Sequence, residues 1–189
     1  MGDMKNIVVV PYNPNWPERF REEATQIAAI FDPELISIHH IGSTSVPGLS
    51  AKPIIDIMPV VRDIEKVEMF NPAMIQLGYE PKGENDIPGR RYFVKGGDAS
   101  RTHHVHTYAP DNPEVSRHLD FRDYLIAHPE EAQRYAILKA KLAQQFPQDI
   151  FGYMAGKDSF IKETLRKAHE WRGKPTDEQP STEVDSFKD

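Results

Sequence analysis

The sequence predicts an α+β fold whose C-terminal half is helical. Three observations carry that prediction. Two β-branched runs, at 36–41 and 53–61, flank a loop of small hydroxyl residues. Residues 90–95 and 101–108 flank Gly96-Gly97-Asp98-Ala99-Ser100, the pattern of an antiparallel hairpin. From Ser116 onward, apolar residues recur at helical spacing.

Taken in order, residues 6–10 form a short β-branched run stopped by Pro11. Residues 13–18 are a turn into a helix, with Pro17 and Glu18 in its first turn. Trp16, Phe20, Ala24, Ile27 and Phe31 give that helix one buried stripe, and Asp32-Pro33 ends it. Ile36, Ile38 and Ile41 mark the first strand; Ile54, Ile55, Ile57, Val60 and Val61 mark the second. Residues 62–77 read as helical, broken at Asn71-Pro72 and stopped by Gly78. A short strand at 79–82 and a loop at 83–89 lead into the hairpin. Ser116 is the expected cap of a helix that ends before Pro129. A second helix covers 129–146, with Ala132, Tyr135, Leu138, Leu142 and Phe146 on one face. A third covers 157–171, with Phe160, Ile161, Thr164, Leu165 and Ala168 facing inward. The expected division is a domain at 1–172 and a disordered acidic tail at 173–189, which carries five acidic and two basic residues.

Composition narrows the functional classes. A chain of 189 residues is long enough to bury a core. Its net charge of −6 and pI near 5.8 give no basic footprint for nucleic acid. The absence of cysteine excludes disulfides, thiolate metal sites and a cysteine nucleophile. No apolar run reaches the roughly 18 residues of a membrane span, and the first six residues do not form a signal peptide. The expected location is cytoplasmic, without membrane association, and the oligomeric state stays open.

Two motifs carry chemistry. Gly42-Ser43-Thr44-Ser45 has little side-chain bulk, so its backbone can approach an anion closely. It lacks the Gly-Lys-Ser of a Walker A loop and the glycine spacing of a nucleophile elbow. Lys52 lies just before the second strand, in reach of a phosphate. That strand carries a single carboxylate, Asp56, which is costly to bury unless paired. The second motif is Thr102-His103-His104-Val105-His106-Thr107. On a strand, His104 and His106 share one face while Val105 takes the other. Such a pair binds a divalent ion when a third ligand joins it, with His40 as a candidate. The same pair also occurs on a plain wet sheet face, and the residues alone leave both readings open. His39 and His103 read as surface or packing residues. Among the cations near the hairpin, Arg91 is a candidate phosphate ligand. Arg122, Tyr135, Lys139, Tyr153 and Lys157 in the helical half are open to either reading, and Asp120 and Asp123 are expected on an exposed helix face.

His40-Ile41-Gly42-Ser43-Thr44-Ser45-Val46-Pro47-Gly48-Leu49, followed by Lys52-Pro53-Ile54-Ile55-Asp56-Ile57, resembles the signature of the GrpB family. Phe121-Arg122-Asp123-Tyr124-Leu125 with His128-Pro129, and Tyr135 with Lys139, resemble its helical segment; His104 and His106 match its pattern as well. The likeness covers about residues 7–171. It implies the nucleotidyltransferase (polymerase-β-like) fold: a mixed sheet flanked by helices, with a Gly-Ser loop beside a metal-carrying strand. The superfamily pattern is Asp-x-Asp or Asp-x-Glu on that strand. Here Asp56 is present, but the second acidic position is Met58, and no later carboxylate stands out as a third.

The expectation is therefore a protein that binds a nucleotide or phosphorylated small molecule with a divalent metal (Mg, Mn or Zn) and transfers a nucleotidyl group. Gly42, Ser43, Thr44, Lys52 and Arg91 are the expected phosphate ligands. Asp56 is the expected catalytic residue, and Asp56, His104, His106 and His40 the expected metal ligands. Histidines filling the place of missing carboxylates suit Mn, Zn, Co or Ni better than an all-oxygen magnesium site would. The alternatives are a metal-dependent phosphohydrolase and a binding module without catalysis, the latter favoured by Met58.

Overall fold

The stripe of Trp16, Phe20, Ala24, Ile27 and Phe31 is almost wholly shielded from solvent and lies along helix α1 (Trp16–Phe31). It packs on one face of a five-stranded sheet built from β1 (Leu35–Ile41), β2 (Ile55–Val61), β3 (Tyr79–Pro81), β4 (Arg91–Lys95) and β5 (His103–Thr107). The structure, a computed structural model, describes residues 6–97 and 100–173. Strand order is β1-β2-β5-β4-β3; β2 and β5 run parallel and every other neighbouring pair is antiparallel. Ile55, Ile57, Phe93 and Val105 meet α1 on this face and form the main core. A mixed sheet with helices on its flanks and a helical C-terminal half is the architecture the sequence predicts.

The second face is covered by the C-terminal helices α3 (Pro113–Ala127), α4 (Pro129–Gln145) and α5 (Ile150–Arg172). Val115 and Leu119 of α3 pack on Ile41, Met58 and Tyr108, while Leu125, Tyr135 and Ala136 close over Val46 and Leu49 after the Gly-Ser loop. Asp123 ties this layer together. It is buried rather than exposed as expected, and its carboxylate accepts from Arg122 and Arg172, each at 2.7 Å. Arg122 also donates to the carbonyl of His40 at 3.1 Å, joining α3 to β1. Asp120 pairs with Arg172 as well, so neither aspartate is a free surface charge.

Several boundaries differ from the sequence reading. Residues 6–10 contribute a bridge from Val10 to Ala51 instead of a strand. The second strand starts at Ile55, because Pro53 cannot donate to a ladder. Ile64–Phe70 is a 3₁₀ helix, with the α-helical part, α2, confined to Asn71–Gln76. Helix α3 starts at Pro113, capped by the Asn112 side chain accepting from Glu114 N at 3.0 Å; Ser116 lies inside it and bonds back to the Pro113 carbonyl. Helix α5 starts two turns before Lys157, capped by Asp149. Gly152 and Gly156 disguise those turns, since glycine weakens a helix. Both are needed for close packing: a Cβ at Gly156 would sit 2.3 Å from Leu142, and one at Gly152 2.6 Å from Phe146. The tail expected at 173–189 lies, from 174 on, outside the described residues. Among the described residues no helix is long and apolar enough to cross a membrane.

The cap assignment is testable. Asn112→Ala should destabilise by about 1 kcal/mol, and Ser116→Ala, at an exposed position, by no more than about 0.5 kcal/mol, in urea melts. Equal effects would return the cap to Ser116.

Candidate functional site

The parallel pairing of β2 with β5 sets Asp56 directly opposite His104. Because Val105 is fully buried against α1, strand alternation turns His104 and His106 to the other face, beside Asp56. Asp56 Oδ1 lies 3.2 Å from His104 Nδ1 and 3.2 Å from His106 Nε2. Burial opposes charge on Asp56, but the hydrogen bonds from His104 and His106 outweigh it and hold the carboxyl well below the usual carboxylate range. Burial lowers His106 against the pull of Asp56. Arg90 Nη1 stands 3.4 Å from His106 Nδ1. Arginine has only donors, so Nδ1 accepts and the neutral ring carries its proton on Nε2, facing Asp56.

One ligand atom from each of Asp56, His104 and His106 lies within 4.8 Å of the others. First-row metal–ligand bonds of about 2.1 Å put neighbouring donors about 3.0 to 3.4 Å apart, and the 3.2 Å spacings match that. Two imidazoles and one carboxylate are also a donor set suited to Zn, Mn or Co. The residues fit a divalent ion; one bound at His106 Nε2 would leave the ring proton on Nδ1, where the Arg90 contact would have to be given up.

The Gly-Ser loop abuts this cluster. Gly42 has φ of 72°, and a Cβ there would lie 2.6 Å from Asp56 Oδ2, so only glycine allows the approach. Ser43 borders the cleft and interacts with the Tyr135 hydroxyl. Thr44 is buried, with its hydroxyl bonded to His40 Nε2 at 3.0 Å and set toward the Ile54 carbonyl at 3.3 Å. Its hydroxyl is thus engaged within the protein, while the residue itself lines the cleft.

Two expectations are corrected. His40 pairs with Ile57 and so points to the α1 face, where it stacks on Phe20 at 4.8 Å. It is outside the Asp56 cluster, and burial lowers it to about 4. Arg91 pairs with Thr107 and shares the Val105 face, where it bonds Glu65 and Glu68, each at 3.1 Å. Neither side chain reaches the cleft, because a strand residue one position off the site's parity faces away.

Asp56, His104, His106, Ser43 and Lys52 open onto a cleft of about 410 Å³ between the sheet and helices α3, α4 and α5. The cleft also receives His118, Tyr135, Lys139, Tyr153 and Lys157. His118 has its ring 5.8 Å from that of His106 and is lowered to about 3 by burial, then by His106 and Arg117. Lys139 and Lys157 are 2% and 9% exposed, and burial followed by neighbouring lysines lowers them to about 7 and about 8. His118 had no signal in the sequence beyond its helix. The lysines had one: Tyr135-x-x-x-Lys139 and Tyr153-x-x-x-Lys157 repeat a one-turn spacing.

The family model for GrpB protein matches residues 6–167. The UPF0157 protein YqkA of Bacillus subtilis is 52% identical over 168 residues, covering 89% of this chain; the chain spans 49% of that protein's length. The crystal structure of GrpB from Enterococcus faecalis superposes with a TM-score of 0.84 at 45% identity, covering 88% of this chain and all of that one. Terminal uridylyl transferase 4 from Trypanosoma brucei, with bound dUTP, has a TM-score of 0.52 at 12% identity, covering 86% of this chain and 55% of that one. That last likeness concerns the fold alone.

The depressed lysines make a linkage prediction. Unfolded Lys139 binds its proton up to about 10.5 and folded Lys139 only to about 7. The unfolded state therefore holds the extra proton between those values, and stability rises with pH through that window. The melting temperature of wild type minus that of Lys139→Met should rise as pH goes from about 6.5 to about 9. A constant difference would mean that Lys139 is charged throughout.

Proposed function

The chain belongs to the GrpB family, and from that premise we propose that it binds a nucleotide or another phosphorylated small molecule together with a divalent metal, and transfers a nucleotidyl group to an acceptor. One observation carries the reading: Asp56, His104 and His106 converge in the same cleft as Ser43 and the pocket lysines. Asp56, His104 and His106 hold the metal, which supplies Lewis-acid stabilisation of charge on phosphate oxygens. Ser43 orients the phosphate beside Asp56, and Gly42 keeps the loop close enough for that. Lys52 offsets phosphate charge. His118 stands beside His106 as a neutral imidazole lining the cleft, and at about 3 it is too weak a base to take a proton from an acceptor hydroxyl.

A second reading is favoured by Met58. It follows Asp56 on the same strand face, at the place of the superfamily's second carboxylate. Its side chain is fully buried with Ile41 and Tyr108. A single carboxylate is a weak magnesium site, so a binding module that has lost transfer chemistry is consistent with this position.

Titration calorimetry with Mn or Zn separates the possibilities. Wild type should take up one ion per chain, and both Asp56→Ala and the double variant His104→Ala/His106→Ala should weaken uptake at least tenfold. Metal-dependent release of pyrophosphate from a nucleoside triphosphate supports transfer. Nucleotide binding that ignores chelator and Asp56→Asn supports the module instead, and absence of any nucleotide binding contradicts both.

A further inference from the structure

The cleft also holds three lysines that are not part of the Asp56 cluster. Helices α4 and α5 each present a tyrosine and, one turn later, a lysine. Each ammonium sits over its own ring: Lys139 lies 4.6 Å from the Tyr135 centroid, and Lys157 4.5 Å from that of Tyr153. Lys52, from the segment before β2, reaches the same Tyr153 ring at 5.5 Å. Three ammonium groups thus converge from three segments on one wall of the cleft, with Ser43 at its edge.

None of the three has a carboxylate ion-pair partner among the described residues. Lys139 donates to the Ser50 carbonyl, the tyrosine faces attract all three ammonium groups, and Asp56 attracts Lys52 and Lys157 without pairing with them. Burying a cation without a counter-ion is costly, and packing three together adds mutual repulsion. The lowered lysines register both costs, burial first and neighbouring lysines next, with Asp56 offsetting part of them at Lys157. A fold gains nothing from such a cluster for its own stability, since methionine would fill the same space without a charge.

We propose that Lys52, Lys139 and Lys157, framed by Tyr135 and Tyr153, form a polyphosphate cradle that takes two or more linked phosphates. This deepens the reading above and rests on its premise of a phosphorylated ligand. A bound anion raises the lysines and holds all three protonated, and a single phosphate, with about −1.5 to −2 charge near neutrality, falls short of the three positive charges that result. A diphosphate or triphosphate matches them. Ser43 interacts with Tyr135 of the cradle and follows Gly42, which abuts Asp56, so a chain of phosphates held by the lysines has a path to the metal-ligand cluster. The chemistry is shared by nucleoside triphosphates and by inorganic polyphosphate.

The test is titration calorimetry on the full chain in EDTA, with inorganic tripolyphosphate, orthophosphate and a nucleoside triphosphate as probes. Tripolyphosphate should bind wild type at least tenfold more tightly than orthophosphate. Lys139→Met and Lys157→Met should each weaken it at least tenfold. Thermal melts check the fold, and Lys157→Met should melt no lower than wild type, because it removes an uncompensated buried charge. Should Lys139→Met fail to fold, Lys157→Met alone decides. Equal affinity for orthophosphate and tripolyphosphate, or unchanged affinity in Lys157→Met, overturns the cradle. A nucleoside triphosphate that binds more tightly than tripolyphosphate identifies a nucleotide as the occupant; the reverse order identifies inorganic polyphosphate. Chelator separates this result from the metal reading: tripolyphosphate binding in EDTA without Mn uptake keeps the cradle and removes the metal site, and Mn uptake without tripolyphosphate binding does the opposite.

Discussion

Everything at the site depends on the parallel pairing of β2 with β5. These strands are not consecutive, and 48 residues separate Asp56 from His104. The pairing places the two in register, and strand alternation then adds His106. What holds the register is burial on the reverse face. Ile55, Ile57 and Val105 are fully shielded beneath α1. A slip of one residue would turn them to the cleft and turn Asp56 into the apolar core. The same hydrophobic term that stabilises the sheet thus fixes the polar cluster, with no dedicated interaction needed to align it.

On that frame the cleft gathers charges of both signs. Asp56 stays ionised between two imidazoles, and three lysines line the same cleft without carboxylate ion-pair partners among the described residues, though Asp56 attracts Lys52 and Lys157 across it. Buried charges of both signs that form no ion pair are a poor way to stabilise a fold. They are a good way to bind a ligand that carries negative charge at one end and meets a metal at the other. Met58 shows where the chain departs from a carboxylate-rich version of the fold, since its side chain has joined the apolar contact between the sheet and α3. The histidines of β5 stand 3.2 Å from Asp56 on the same strand face as Met58.

The outline of the fold was legible because its signals are local. The α1 stripe, the β-branched runs and the Gly-Gly hairpin each follow from spacing within about a dozen residues. The start of α5 was not, because Gly152 and Gly156 lower helix propensity and earn their place through packing on α4. Asp56, His104 and His106 were legible as a set because alternation fixes which strand residues share a face. Alternation applied to β1 and β4 would also have placed His40 and Arg91 on the wrong face, had the pairing of Ile41 with Asp56 and of Tyr92 with His106 been known. That pairing is tertiary information. Thr44 carries a task the sequence did not show: its hydroxyl satisfies the Ile54 carbonyl and His40, a demand that no local pattern announces. His118, Lys139 and Lys157 sit on helices whose docking onto the sheet is set by apolar contacts on their other residues.

The most direct measurement is a crystal structure with manganese and a non-hydrolysable nucleoside triphosphate, using anomalous scattering to locate the metal. The expected result is a manganese peak bounded by Asp56, His104 and His106, with the phosphate chain running past Ser43 toward Lys139 and Lys157. A nucleotide seated outside the cleft, or a metal peak remote from Asp56, would contradict the assignment of this cleft as the functional site.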